Sequence, residues 1–152
     1  MSKKKTNRCT GDILAIPLGD GSFAFAQVLR DPLLAFFSLR SNVITHADEI
    51  VQSSVLFVVP VMNYAIRDGV WMVVGNSAIG SSLQKEPLFF KKDAVSGDLS
   101  IYKDSTAEEW PATKEECLGL ECAAVWEPEH VEDRLRDYFA GVPNKWVECL
   151  KP

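Results

Sequence analysis

The sequence predicts a β-rich α+β fold, a strongly bent antiparallel sheet or partly closed barrel carrying one C-terminal helix. Three observations support this. Short apolar runs rich in β-branched and aromatic residues recur along most of the chain, each bounded by Gly, Pro, Asp or Asn. Sustained helical periodicity is confined to one segment, residues 128–140. The 152 residues, 47% hydrophobic and 24% charged, suffice for one real core and are too few for two. Residues 1–10 therefore read as a flexible basic lead and residues 11–152 as a single globular domain.

The organising stretch is residues 11–29. Asp12 to Ile16 is strand-like and closes at Pro17, which cannot donate to a ladder. Gly19-Asp20-Gly21 supplies the turn. The return strand places Phe23 and Phe25 on one face and Ala24, Ala26 and Val28 on the other, a large–small division that suits a curling sheet. Residues 33–39 (LLAFFSL) are apolar on both faces, as a buried central strand requires. Thr45 is placed to cap a short helix with Asp48 and Glu49 in its first turn. Residues 54–62 are the most apolar segment, and Pro60 predicts a strand that leaves the sheet or lines its edge. Arg67-Asp68-Gly69 turns the chain into a strand over 70–75, followed by an exposed Gly/Ser-rich loop over 76–86. Residues 87–92 and 99–103 flank a Ser96-Gly97-Asp98 turn and form a second hairpin. Residues 106–116 are acidic around Trp110-Pro111, and 118–126 predict a last strand.

The helix over 128–140 is the most clearly marked element. Pro128 fits its first position, and Glu129, Glu132 and Asp133 oppose the positive end of the helix dipole. Val131, Leu135, Tyr138 and Phe139 form one stripe, and Gly141 and Pro143 end it. Asp133, Arg136 and Asp137 lie off that stripe and are expected to face water, while Trp146 and Val147 tuck against the sheet.

A family likeness resides in the same residues. Gly11-Asp12-Ile13, then Ala15-Ile16-Pro17-Leu18-Gly19-Asp20-Gly21 and an aromatic–alanine strand, resembles the opening of Immunity protein 26, a family of bacterial polymorphic-toxin systems. Similar pieces follow in order: the apolar strand over 55–61, Gly69-Val70-Trp71-Met72-Val73-Val74-Gly75, Pro87-Leu88-Phe89-Phe90, and Val131-Glu132-Asp133-Arg134-Leu135. The resemblance implies a non-enzymatic binder that neutralises a toxin domain encoded beside it.

Charge and composition narrow the alternatives. Residues 1–30 carry five basic and two acidic groups, residues 31–92 five of each, and residues 93–152 six basic and fourteen acidic. The last third, at −8, repels phosphate backbones, so no nucleic-acid ligand is expected. It suits a basic protein partner, of which a nuclease domain is one example. The acids chosen as its contacts are Glu115, Glu116, Glu121, Glu129, Asp133 and Asp137. No apolar run reaches the ~18–20 residues that span a bilayer, and MSKKKTNR has no apolar segment behind it, so no membrane role and a cytoplasmic location are expected. Cys117 and Cys122 have ligand-like spacing but no second pair, and Cys9 and Cys149 are scattered, so no metal is expected. The run GNSAIGS lacks the lysine and spacing of a phosphate loop, and no cofactor is implied.

Two other functions compete. An enzyme needs groups within hydrogen-bonding reach of one another, and adjacent pairs such as Glu108-Glu109 or Glu115-Glu116 do not face one site. A small-molecule site would use a barrel mouth lined by Phe23, Phe25, Phe36, Phe89 and Trp71.

Overall fold

Three consecutive antiparallel strands hold the centre of the fold in a computed structural model that describes residues 7–152. They are β1 (Asp12–Pro17), β2 (Phe23–Val28) and β3 (Leu33–Ser41). Leu14 faces Ala26 and Ile16 faces Ala24 across the first ladder, and Ala26 faces Phe36 across the second. Strand β4 (Val55–Pro60) extends the sheet beyond β3, and β5 (Met72–Asn76) beyond β1, giving the order β4-β3-β2-β1-β5. Most of the expected lead, residues 1–6, lies outside the described residues. Of the rest, Arg8 is tied in, donating to the Asp31 carboxylate at 2.9 Å and to the Val61 carbonyl at 3.0 Å.

The two-residue period sorts the core. Leu14, Ile16, Ala24, Ala26, Leu34 and Phe36 line one face, where they meet Trp71, Trp126, Val131 and Leu135. Ile13, Ala15, Phe25 and Phe37 line the other, covered by Ile50 of the short helix α1 (Ala47–Ile50). The small side chains of β2 thus lie on the face that receives the helical layer and leave room for it. His46, not Thr45, holds the N-cap position of α1, and Asp48 and Glu49 occupy its first turn as expected. A second turn, α2 (Tyr64–Arg67), precedes β5 and buries Ala65 and Ile66.

The remaining strands make a second sheet, β8-β7-β6-β9, built from β6 (Phe89–Lys92), β7 (Leu99–Lys103), β8 (Glu108–Pro111) and β9 (Glu121–Cys122). Strands β6 and β7 are the expected second hairpin. Strand β9 runs parallel to β6, against the antiparallel rule elsewhere. The strand expected over 118–126 shortens to two residues because the chain then swings toward the first sheet. Trp126 donates its N–H to the Pro60 carbonyl at 2.8 Å, and its own carbonyl accepts from Met62 at 2.9 Å. This is the seam between the sheets, with Val61 bridging Trp126 where Pro60 ends β4. The class is α+β with two mostly antiparallel sheets, neither closed into a barrel.

Helix α3 (Lys114–Cys117) follows β8, α4 (Pro128–Ala140) is the expected long helix, and α5 (Lys145–Cys149) follows it. Val131 and Leu135 are fully buried, but Tyr138 is 52% exposed, so the apolar stripe narrows in the last turn. Trp146 and Val147 pack on the main core from α5. Among the described residues, no helix is long and apolar enough to cross a membrane.

Candidate partner-binding surface

The acids of α4 are acceptors before they are a surface. Glu129 accepts from the Tyr64 hydroxyl of α2. Glu132 accepts from the Trp71 indole N–H at 2.8 Å. Asp133 accepts from Arg136 at 2.7 Å and from the Trp146 indole at 3.2 Å. Asp137 accepts from the Asn144 amide at 2.8 Å, while the Asn144 side-chain oxygen caps α5 through Trp146 and Val147. Glu129, Asp133 and Asp137 stand at i, i+4 and i+8, so a single helix face collects donors from α2 and from the α5 segment. Asp133 and Asp137 are half-buried rather than facing water as the sequence suggested. The hydrogen bond with Tyr64 holds the Glu129 carboxyl below its ordinary pKa and pushes the phenol up to about 12. Arg136, then Trp146, hold Asp133 low in the same way.

Two more of the six sequence-chosen acids have structural partners. Glu121 makes a two-pronged pair with Arg134, at 2.7 and 3.1 Å. The guanidinium, only 12% exposed, lies 3.6 Å over the Phe57 ring and 5.1 Å from that of Trp126. Glu116 closes a capping box with Thr113, each side chain reaching the other's backbone N–H. Glu115, beside it in the first turn of α3, is exposed and, among the described residues, makes no side-chain hydrogen bond or ion pair. The structure therefore brings Glu129, Asp133 and Asp137 together on α4, sets Glu121 against that helix, and holds Glu115 and Glu116 on α3.

The other candidate sites do not assemble. The aromatic mouth is absent because its members belong to different faces. Phe36 and Trp71 meet edge-on in the main core, Phe23 and Phe25 pack on the opposite side of the sheet, and Phe89 joins a third cluster at the seam. All four cysteines are free thiols. Burial pushes the Cys117 and Cys122 thiols up, away from the thiolate that nucleophilic chemistry needs. Among the described residues, no group of three or more His, Cys, Asp or Glu side chains is placed to hold a metal ion.

The sheet edges are unequal. That of β4 is occupied where Trp126 bonds Pro60 and Met62. Strand β8 carries Glu108, Glu109 and Pro111, residues that discourage added strands. Strand β5 holds no proline and no charged residue, and Met72 and Val73 are exposed along it. The sequence does not mark this open edge: residues 70–75 read as an ordinary alternating strand with nothing to say that it ends a sheet.

Comparison with known proteins gives one result. The family model described as Immunity protein 26 matches residues 10–100, from two residues before β1 into β7. No curated protein and no solved structure matches the chain. Helix α4, whose 131–135 segment contributed to the resemblance noted above, lies outside the matched residues.

Proposed function

Because the chain belongs to the Immunity protein 26 family, a membership that implies a toxin partner, we propose that it neutralises one cognate toxin domain by stoichiometric, non-covalent association in the cytoplasm. Immunity proteins are typically not enzymes, and this chain acts by occupying its partner. The family match is the observation that carries this reading. The acid-rich last third supports a basic partner, and a nuclease domain of a polymorphic or contact-dependent inhibition system is the class that charge favours. Acids already used as acceptors keep their charge, so they still contribute to the field that draws a basic protein in. Among the described residues, Glu115 is the one of the six with no side-chain partner, and it can form a new direct contact.

The test is titration against the toxin domain encoded beside this chain, by calorimetry, with growth protection measured in parallel. Expected are a one-to-one complex at nanomolar affinity or better and rescue of cells that express the toxin. Association should slow as salt rises. Charge reversal at Glu115, Glu116, Glu121, Glu129, Asp133 and Asp137 should slow it further. Absence of binding and of rescue would refute the function. Binding whose rate ignores both salt and all six reversals would refute the basic-partner mechanism alone.

A further inference from the structure

Natural sheets protect their edges, because an uncovered strand offers unpaired N–H and C=O groups to any other chain. The seam through Trp126, Pro60 and Met62 occupies the end of β4, none of whose residues is exposed, and Pro111 with its neighbouring carboxylates protects β8. Strand β9 is two residues long and fixed to α4 through the Glu121–Arg134 pair. Strand β5 stands apart. Its inner side pairs with β1, Met72 opposite Ala15 and Val73 opposite Leu14. Among the described residues, no backbone hydrogen bond from any other element reaches 72–76. Met72 is 44% and Val73 39% exposed, and Val70 just before them is 54% exposed. The one irregularity is a bulge at Val74, whose side chain packs on the inner cluster and leaves 72–73 regular.

Among the described residues, carboxylates stand beside this edge on both faces. On one face α1 lies close, since a Cβ on Gly75 would sit 3.3 Å from that of Ala47. The next two residues of α1, Asp48 and Glu49, are exposed and, among the described residues, make no ion pair. On the other face the Trp71 indole, one residue before β5, is bonded to Glu132, and Tyr64 is bonded to Glu129. The cation nearest in sequence, Arg67, is paired with Asp68. An apolar strand edge is thus bracketed by carboxylates above and below.

Resting on the toxin-neutralising function proposed above, we infer that β5 is the docking edge, and that its occupant is an extended strand of the toxin with lysine or arginine beside the pairing residues. Main-chain pairing to β5 would supply register, Met72 and Val73 the apolar contact, and the acidic rim the preference for a basic strand. A second copy of this chain is the poorer occupant. Each copy carries a net charge of −5, and twofold pairing of β5 would set Asp48 and Glu49 of both on one face.

Hydrogen–deuterium exchange of the complex with the adjacently encoded toxin domain tests this, alongside the M72K/V73K variant checked for an unchanged far-UV spectrum. Expected are at least tenfold slower exchange of the 72–76 amides on binding and at least tenfold weaker affinity of the variant. D48K/E49K should lower the association rate and flatten its salt dependence. If the toxin binds while the 72–76 amides exchange as in the free protein and M72K/V73K binds normally, the edge proposal is overturned and the neutralising function stands. If the 72–76 amides are already protected in a concentration-dependent dimer without toxin, self-association owns the edge and the proposal is again overturned. If the toxin does not bind at all, both fall.

Discussion

Replacing Glu121 with glutamine removes the anion that faces Arg134 while keeping the shape of the side chain. The guanidinium is then left over Phe57 and against Trp126, 12% exposed, with the two hydrogen bonds it donates weakened or lost. A fully buried pair broken in this way costs about 3–5 kcal/mol, and an exposed one about 0–1. Glu121 is 31% exposed, so water can enter on its side and replace part of what is lost. The expected cost lies between, at about 2 kcal/mol, or roughly 4–8 °C in melting temperature for a chain of this size. Urea unfolding at moderate salt is the assay, with an unchanged m-value showing that stability and not denatured-state compactness has moved. The double variant E121L/R134M should return to within about 1 kcal/mol of the wild type, because a packed apolar pair needs no compensation. A loss below about 0.5 kcal/mol in E121Q would show that the pair is an ordinary surface contact and that Glu121 is free for a partner after all.

Leu135, fully buried under the sheet, should cost about 2–5 kcal/mol when truncated to alanine, measured by the same unfolding curves. Gly11→Ala should destabilise by about 2 kcal/mol or more, because Gly11 has φ +92° and a Cβ there would meet the Ser77 carbonyl at 2.9 Å. Tyr64 should titrate near pH 12, followed by tyrosinate absorbance. Since its folded value is raised, the stability it adds is complete below the unfolded value near 10 and is lost as pH rises through about 12, and E129Q should lower that titration. Asp20 runs the opposite way. The Ser22 hydroxyl, then the Ser22 N–H, with Arg40 adding less, depress its carboxyl from 3.8 to about 2, so the stability it adds is present above pH 4 and lost as pH falls toward 2, a slope that D20N should remove.

How much of this was legible depended on whether the signal was local. The opening hairpin announced itself through Pro17 and Gly19-Asp20-Gly21, and α4 through Pro128, its acidic first turn and Gly141. Helix α3 was equally legible and overlooked, because Thr113 and Glu116 stand at the spacing of a capping box inside a stretch read only as acidic. Asn144 marked α5 in the same way. What no local pattern could show was the division of the strands into two sheets. That depends on Trp126 returning to Pro60 and Met62 across more than sixty residues of chain. The candidate acids suffered from the same limit. Exposure was inferred from their chemistry, whereas Glu121, Asp133 and Asp137 are held by donors that only the tertiary fold brings near.

That division between charge and contact bears on how such a protein can recognise a partner. A carboxylate bonded to Trp71, Trp146 or Asn144 still projects its field, so the acidic third can steer a basic domain from beyond contact, to about a Debye length of ~8 Å at physiological salt. It cannot easily surrender that bond to form a new one, since an indole or amide donor left without an acceptor costs about 1–3 kcal/mol. Substituting these acids should therefore disturb docking of α4 and α5 as well as association, and a loss of protection in cells would not separate the two. The exposed Met72 and Val73 of β5 belong to none of the core clusters, and among the described residues Asp48 and Glu49 beside them make no ion pair. Surface that can change without unfolding the molecule is surface on which partner choice can vary within one fold. If β5 is the docking edge, that surface is Met72 and Val73 with the exposed Asp48 and Glu49, and the bonded acids of α4 are the fixed source of field behind it.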